Sequence, residues 1–344
     1  MHIKYLTYNI FKTDYKKLNA FVNQLHIERD IAKTSIYKNL LVHFFKQNTL
    51  FLDYFHMRFF DSETERSRYT NVWDMHLFHK KYNGKQSAIF RDKLQFRKRF
   101  ESYFNYPYFE LNSEKEIVPL IAWIKQNNFE KIVAKQPLSS AGEGVKIINT
   151  ELINADLLIA GQESTSYLAD LYQKGYTLFE SFIEQHKDLK QIYPGSINTI
   201  RIITFVNKQK ELEIWGTLLR LGLDKSVDNF AAGGLSANID INSGVINSLA
   251  RIKDPFHKTA YNKHPVTDVK ITGSKIPYWD EIIKMVKKAA LEVPEVKTVG
   301  WDIAITPSGP TLIEGNDNWD KTHFELISGI GLNDRIKTLL RENE

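Results

Sequence analysis

The chain of 344 residues contains no cysteine. A disulfide, a thiolate nucleophile and a cysteine metal ligand are therefore excluded, and any catalysis must use oxygen, nitrogen or a hard metal ion. The opening residues, MHIKYLTYNI, lack the apolar core of a signal peptide, and nowhere does the sequence run for 18 residues without a charge. These absences predict a cytoplasmic protein.

Glycine and proline are scarce in the first part of the chain. Between residues 14 and 106, glycine occurs only at Gly84 and proline does not occur. Apolar residues, many of them aromatic, recur there at helical spacing, which predicts a mainly helical region over residues 1–85 with this stripe in its core. The stripe comprises Leu40, Leu41, Phe44, Phe45, Phe51, Leu52, Phe55 and Phe59.

The charge is unevenly distributed. Residues 1–105 carry 19 Lys and Arg against 10 Asp and Glu, whereas the rest of the chain carries 27 against 31. One interpretation is attraction to an anionic membrane or a lipid-linked glycan. The other is a set of solvated helix faces, which is favoured because acidic residues are interspersed and no unbroken basic block exists. No nucleic-acid partner is expected.

Beyond Pro107 the sequence mixes helical and strand patterns. Residues 117–126 (IVPLIAWIKQ) and 278–294 (YWDEIIKMVKKAALEVP) have the pattern of amphipathic helices. Strands and helices do not alternate strictly, which predicts an α+β fold with antiparallel sheets. The predicted strands are 131–137, 175–183, 199–206, 212–222 and a hairpin, VGWDIAITPSGPTLIEGN, that turns at PSG.

That hairpin carries a candidate metal site. Glu314 and Asn316 are two positions apart in one strand and project to the same side, and a turn near Ser308 places Asp302 opposite about Glu314. Two carboxylates and a carboxamide oxygen suit Mg²⁺, which takes the rest of its ligands from water and substrate phosphates. The alternative is a plain hairpin with polar ends, which is less favoured because apolar residues flank Asp302 and a buried carboxylate needs a partner.

A second candidate is the loop in KQPLSSAGEGVKII, residues 135–148. Its glycines leave backbone N–H groups free to face an anion, and Lys135 adds a positive charge. No Gly-Lys-Ser/Thr follows, so the loop is not a Walker A motif. Taken alone, the loop is equally compatible with an ordinary hairpin turn. Together with the metal site, it suggests an ATP-grasp protein.

Over about residues 85–330, the order of the motifs resembles the ATP-grasp superfamily. The likeness is greatest to the sugar-transfer-associated ATP-grasp family and more distant to glutamate ligases that modify protein carboxyl termini. It implies an ATP-grasp fold with two α+β lobes, residues 86–177 and 178–344, after the helical region 1–85. The motifs are FRDKLQF, the 135–148 loop, LFESFIEQH, SINTIRIITF, LLRLGLDKSVDNFAAGG and GWDIAITPSGPTLIEGN.

The resemblance also implies roles for individual residues. Asp302, Glu314 and Asn316 would hold one or two Mg²⁺ ions, and Arg201 and Arg220 would face the reacting group. An ordinary ion pair remains the alternative for Arg201, and a charge at a strand end for Glu180. The substrate-binding residues would be Asn198, Asp228 and Asn229. The ATP-binding residues would be Lys93, Lys135, Ser139, Ser140, Gly142, Gly144, Val145, Glu180, Phe182, Ile183, Glu184 and His186.

The activity that these features favour is carboxylate–amine ligation. ATP would convert a carboxylate to an acyl phosphate, and an amine would displace the phosphate, with the family association suggesting a sugar or glycan carboxylate in polysaccharide biosynthesis. Alternatives are a sugar or alcohol kinase and a non-catalytic nucleotide-binding or docking module. Two arginines suit a planar anion, and no histidine except His186 stands near the predicted site, so the ligase is favoured over the kinase. The two substrates and the oligomeric state stay open.

Overall fold

The structure is a computed structural model that describes residues 2–61, 66–139, 144–153, 156–224, 228, 230 and 233–342. Its N-terminal region is helical, as predicted. Phe44, Phe55 and Phe59 of the aromatic stripe are buried there, whereas Phe45 is 64% exposed. The helices of this region are α1 (His2–Lys12), α2 (Tyr15–Arg29), α3 (Lys33–Gln47), α4 (Phe51–His56) and α5 (Val72–Tyr82).

The first sheet follows in the chain. All its strand pairs are antiparallel, in the order β1-β6-β2-β3-β4-β5. The helices α7 and α8 pack their apolar residues against this sheet. The helix α6 (Lys93–Arg99) precedes the sheet. The strands are β1 (Tyr108–Glu110), β2 (Lys131–Lys135), β3 (Val145–Ile153), β4 (Asp156–Ile159), β5 (Gln162–Glu163) and β6 (Leu178–Ser181). The two helices are α7 (Ile117–Gln126) and α8 (Ser164–Gln173).

The second sheet has the strand order β11-β10-β7-β8-β9, again antiparallel throughout. All nine residues of β10 are buried, because α10 and other segments cover the sheet. The α+β prediction is confirmed. The elements are α9 (Lys187–Ile192), β7 (Thr199–Val206), β8 (Leu212–Leu221), β9 (Leu235–Asn238), α10 (Trp279–Glu292), β10 (Thr298–Thr306), β11 (Gly309–Asn316), α11 (Lys321–Ser328) and α12 (Asn333–Arg341).

The strand β6 belongs to the first sheet, where it pairs with β1 and β2. The predicted boundary at residue 178 therefore places β6 in the second lobe, although this strand pairs within the first sheet. The chain leaves the first sheet through residues 182–186, which connect β6 to α9. In the parts of the chain that the structure describes, no helix combines the length and the apolarity that a membrane crossing requires.

Candidate active site

Four charged side chains share one face of the second sheet because of its strand register. Asp302 on β10 lies opposite Glu314 on β11, as predicted, and opposite Arg201 on β7. Arg201 in turn lies opposite Leu218 on β8. Residues opposite each other, and residues two positions apart in one strand, project to the same face. Arg220 therefore joins the row formed by Glu314, Asp302 and Arg201.

Asp302 is held between the two arginines. Arg201 donates from Nε to Oδ1 and from Nη2 to Oδ2, the latter at 2.7 Å, and Arg220 donates from Nη1 to Oδ2 at 2.9 Å. Burial alone would raise the pKa of Asp302, but the two guanidinium groups outweigh it and hold that pKa well below its ordinary value. Asp302 is therefore ionised throughout the neutral range.

Asp228 lies at the far side of Arg220. Its Oδ1 is 3.3 Å from Nη2 of Arg220, and its Oδ2 accepts a hydrogen bond from the backbone N–H of Thr199 at 3.0 Å. Burial raises the pKa of Asp228, and Arg220 opposes that rise. Arg220 is thus shared between Asp302 and Asp228, so both carboxylates fix the direction of its guanidinium group.

Glu314 is the carboxylate of the row that lacks a cation. Asn316 Nδ2 donates to its Oε1 at 3.2 Å, and Glu314 makes no ion pair with any residue that the structure describes. Burial and the neighbouring charge of Asp302 raise the pKa of Glu314. Two adjacent carboxylates with too little positive charge beside one of them are a favourable place for a cation.

The donor set fits Mg²⁺. A carboxylate has about four acceptor positions. Asp302 receives three hydrogen bonds from the arginines and is also hydrogen-bonded to Glu314, so a metal ion would take the place of the proton between the two carboxylates. Glu314 and the side-chain oxygen of Asn316 complete a set of oxygen ligands. Among the described residues, no group of three or more His, Cys, Asp or Glu is arranged so that it could hold a metal ion by itself. An ion here would therefore need water or substrate phosphates as further ligands, which is usual for Mg²⁺.

The first sheet supplies a second buried carboxylate, Glu180 on β6. It is 3% exposed, and its Oε2 lies 2.5 Å from Nζ of Lys135 at the end of β2. Arg97 Nε lies 3.7 Å from its Oε1. Glu180 is thus a buried ion-pair partner of Lys135 and not the simple charge at a strand end that the sequence left open as the alternative for this residue.

Lys93 binds the first residues of the loop after Lys135. Lys93 Nζ donates to Ser139 Oγ at 2.8 Å and also to the backbone oxygens of Ser139 and Gln136. Gly144 has a φ of +64°, and a Cβ there would lie 2.4 Å from Gln136 Oε1, so the position requires glycine. Ser140 and Gly142 lie outside the described residues. Lys93 contacts this loop but does not line the cleft itself.

A cleft of about 990 Å³ lies between the two sheets. At one end its polar residues are Arg201, Arg220, Asp228, Asp302, Glu314 and Asn316, which the sequence predicted together. Glu184 and Lys135 also line the cleft. Its apolar residues come from both sheets, from the connection after β6 and from other segments, and they include Val133, Val145, Ile147, Phe182, Ile183 and Ile313.

Two predicted binding residues are not available in the cleft. Asn198 is fully buried, and its Nδ2 donates to the backbone oxygens of Leu189 at 2.9 Å and Tyr193 at 2.8 Å. It ties α9 to the sheet, so its assignment to substrate is corrected. His186 caps the N-terminus of α9 and packs edge-on against Tyr278 instead of lining the cleft. Asn229 lies outside the described residues.

The sequence also missed a histidine. His323 lines the cleft together with Trp319 and Asp320, so the expectation that His186 is the only histidine near the site is wrong. His323 lies in the first turn of α11, a helix that the sequence did not predict. The sequence does contain a signal for this helix. In WDKTHFEL, Asp320 can cap a helix that starts just past the strand of the predicted metal ligands, and His323 lies in that helix, seven residues after Asn316.

Solved structures with a similar arrangement have low sequence identity. They include N5-carboxyaminoimidazole synthetase from Staphylococcus aureus with ADP (10% identity, TM-score 0.43, covering 73% of this chain and 55% of that one). D-alanyl-alanine synthetase A from Vibrio cholerae matches at 11% identity and TM-score 0.44, over 74% of this chain and 67% of that one. The chain spans about half the length of the first of these proteins.

No match for the chain was found among curated proteins. The family model for sugar-transfer-associated ATP-grasp proteins matches residues 74–340, which is most of the chain. This match confirms the predicted ATP-grasp fold and, at the level of the family, the prediction of an ATP-grasp enzyme. The chain belongs to the sugar-transfer-associated ATP-grasp family.

Proposed function

We propose that the chain is an ATP- and Mg²⁺-dependent carboxylate–amine ligase. The observation that carries the proposal is the row of Glu314, Asp302, Arg201 and Arg220 on one face of the second sheet. This row lies in a cleft whose other wall holds Lys135. Such a cleft offers an anion site and a cation site to one extended ligand.

The nucleotide would occupy the side of the cleft formed by the first sheet. Apolar side chains such as Val133, Val145 and Ile147 line it and suit the faces of a purine ring. Lys135 is oriented by Glu180 and would contact the phosphates as a point charge. ATP is the proposed nucleotide because the family is an ATP-grasp family.

Asp302, Glu314 and Asn316 would hold the metal ion. When bound, Mg²⁺ would neutralise part of the triphosphate charge and orient its terminal phosphate. The residues already prepare this site, because the arginines keep Asp302 ionised and Asn316 orients Glu314. One or two ions are compatible with these three ligands.

Arg201 and Arg220 would bind the carboxylate substrate and stabilise the phosphoryl group as it is transferred. Their side chains are 12% and 11% exposed, so they are mostly desolvated, and hydrogen bonds in such a site are strong. A guanidinium group binds a planar carboxylate through two parallel hydrogen bonds. The reaction would form an acyl phosphate, and an amine would then displace phosphate to give an amide.

The carboxylate would belong to a sugar or glycan, and the reaction would serve polysaccharide biosynthesis in the cytoplasm. This part of the proposal depends on the family's association with sugar transfer. The test is a screen with ATP, Mg²⁺, hydroxylamine and single uronic acids such as D-glucuronic and D-galacturonic acid. The ligase should release ADP and phosphate and yield a hydroxamate with one of them, and EDTA should stop the reaction.

His323 favours one alternative, an ATP-dependent kinase of a sugar hydroxyl. A hydroxyl needs a base before it can attack a phosphorus atom, and His323 places an imidazole in the cleft. A kinase would transfer phosphate to a stable ester and would give no hydroxamate. Detection of a sugar phosphate in the same screen, without hydroxamate, would replace the ligase with the kinase.

The N-terminal region would touch an anionic membrane or lipid-linked glycan through α3. Half of the aromatic stripe is buried and cannot do so. Its exposed members Leu41 and Phe45 form an apolar face of α3 together with Tyr37 and Val42, flanked by Lys38 and Lys46. Basic and aromatic residues on one helix face are typical of a helix at a membrane surface.

Vesicle co-sedimentation tests this contact. Vesicles containing phosphatidylserine should sediment the protein at low salt and release it at high salt, since charged contacts are screened. Vesicles of phosphatidylcholine alone are the control. The variant Phe45→Ser should bind more weakly than the matched variant Phe11→Ser, whose side chain is 82% exposed on α1. Equal binding to both vesicle types would refute the contact.

A further inference from the structure

His323 is held by contacts on two sides of its ring. It lies one turn into α11, which begins after Asp320 and packs against β8 and β9. Phe230 stacks on its ring with the centroids 4.3 Å apart and the planes at 15°. Nε2 lies 2.9 Å from Ser236 Oγ on β9. With an exposed fraction of only 6%, the ring cannot turn away from the cleft without breaking these contacts.

The hydrogen bonds fix which ring nitrogen carries the proton. Ser236 Oγ donates its one proton to the backbone oxygen of Leu219 at 2.8 Å. Towards His323, Oγ can then only accept, so Nε2 of His323 must carry the hydrogen. The lone pair of the neutral ring is therefore on Nδ1. Nδ1 accepts no hydrogen bond from a described residue and is not sealed from solvent.

The charges around His323 keep the ring neutral. Burial lowers its pKa well below the ordinary value, and Arg220, Arg201 and Lys253 lower it further, while Asp320 opposes them. A neutral ring with an unprotonated Nδ1 in the cleft is a hydrogen-bond and proton acceptor. The mechanism proposed above gives it no role, because Arg201, Arg220 and the metal ligands act on the carboxylate and the phosphates.

We propose that Nδ1 of His323 is the catalytic base for a primary amine, the second substrate of the proposed ligase. The amine nitrogen attacks the acyl carbon and forms the C–N bond, and its protons become acidic as it gains positive charge. Nδ1 accepts one of these protons. The C–O bond to phosphate then breaks, phosphate leaves with the electron pair, and the imidazolium returns the proton to it. The products are the amide and hydrogen phosphate.

The weak basicity of His323 suits this role. An imidazole of lowered pKa cannot remove a proton from a free ammonium ion efficiently, but it can remove one from the nitrogen of the addition intermediate. The cations near it, Arg201, Arg220 and Lys253, also disfavour an ammonium ion in the cleft. The part of the cleft beside His323 would therefore bind the neutral form of a primary amine.

The variant His323→Gln separates the two roles of the ring, which are hydrogen-bond donation from Nε2 and proton acceptance at Nδ1. The glutamine Nε2 can still donate to Ser236, but the variant has no base at the position of Nδ1. Because hydroxylamine is a reactive nucleophile that needs little assistance, hydroxamate formation from a uronic acid should remain near the wild-type rate. Amide formation with glycine, L-alanine or L-lysine should fall by about a hundredfold or more, the usual contribution of a general base. His257→Gln, outside the cleft, is the matched control.

The pH profile gives a second readout. The wild-type amide rate, divided by the fraction of the amine that is unprotonated, should fall at low pH as His323 becomes protonated. His323→Gln should lose this fall, while hydroxamate formation keeps its own profile. An equal loss of both reactions in His323→Gln would overturn the proposal, and so would no loss of either. If the wild-type protein forms no hydroxamate, the ligase function itself fails, and a sugar phosphate that disappears in His323→Gln would assign the base to a hydroxyl instead.

A measurement on the wild-type protein keeps the proposal testable if the variant does not fold. Nitrogen-15 spectra of the histidine-labelled protein report which ring nitrogen of His323 bears hydrogen. The structure predicts a protonated Nε2 and an unprotonated Nδ1. A proton on Nδ1 at neutral pH would remove the proposed base and overturn the inference.

Discussion

Both walls of the cleft pair buried carboxylates with cations, but the two walls have opposite balances of charge. On the first sheet, Glu180 lies between Lys135 and Arg97, so two cations face one carboxylate. On the second sheet, Arg201 and Arg220 face three carboxylates, Asp302, Asp228 and Glu314. Within these two clusters, the first therefore has positive charge left for an anion, and the second lacks positive charge.

This difference suggests how the cleft orders its ligands. A polyphosphate is attracted to the first wall, while a divalent cation is attracted to the second, so a metal–nucleotide complex offsets both imbalances at once. The apolar residues between the walls exclude water and strengthen both attractions. Each prediction below removes one charge from one wall.

The largest effect should come from Glu314→Gln on the second wall. Turnover should fall by about a thousandfold or more, because metal charge stabilisation is worth several kcal/mol. Nucleotide affinity should fall much less, since Lys135 remains. Hydroxamate formation and nucleotide binding by calorimetry measure the two effects, with Glu211→Gln on an exposed turn as the matched control. Equal losses of binding and turnover would contradict the assignment.

The same variant should be more stable than the wild type when no metal is bound. The pKa of Glu314 is raised in the folded state, so its ionisation destabilises the fold above that pKa, and wild-type stability increases as the pH falls through it. Glutamine removes this penalty. Thermal unfolding at neutral pH should show a higher midpoint for the variant without Mg²⁺, and Mg²⁺ should raise the midpoint of the wild type alone. A lower midpoint of the variant would show that Glu314 is a structural residue.

Arg201→Ala comes next in size. The rate of hydroxamate formation should fall by at least about a hundredfold through loss of charge stabilisation, and stability should fall by about 3–5 kcal/mol because buried Asp302 loses a partner. Arg201→Lys is the control, since it keeps the charge but cannot make both hydrogen bonds. Lysine should restore more stability than rate. A full recovery of rate would mean that Arg201 acts as a simple ion-pair partner.

Lys135→Ala on the first wall should have the smallest effect. Loss of a charge-assisted contact of about 1.5–3 kcal/mol should raise the ATP dissociation constant about tenfold to a hundredfold. Glu180 keeps Arg97 as a partner, so the fold should persist. Calorimetric titration with Lys115→Ala as the control checks this prediction. Unchanged affinity in a folded variant would show that Lys135 only neutralises Glu180.

The sequence predicted local elements well because their signals are local. Residues 117–126 form α7 and residues 199–206 form β7, with the predicted bounds. The pairing of Asp302 with Glu314 was also predicted, from a turn placed near Ser308. The hairpin in fact closes at Thr306 and Gly309, and a register shift between Asp302 and Ile303 is what brings Asp302 opposite Glu314. The sequence alone nonetheless placed the three predicted metal ligands on one pair of strands.

The sequence did not supply the partners of the polar side chains. Arg201 and Asp302 are 101 residues apart, and only the pairing of β7 with β10 brings them together. Asn198 has a polar side chain suited to binding a ligand, yet its amide donates hydrogen bonds to two backbone oxygens in and just after α9. His323 was missed because its contacts, Phe230 and Ser236, come from other segments. Polar side chains can be proposed from sequence, but their partners depend on the packing.

The most direct test of the central claim follows oxygen from the carboxylate. A uronic acid labelled with oxygen-18 in its carboxyl group is incubated with the wild-type protein, ATP, Mg²⁺ and hydroxylamine, and the released phosphate is analysed by mass spectrometry. A ligase that forms an acyl phosphate must transfer one labelled oxygen to the phosphate, because the C–O bond breaks when the nucleophile attacks. Unlabelled phosphate, or a phosphate ester on a sugar hydroxyl, would contradict the account.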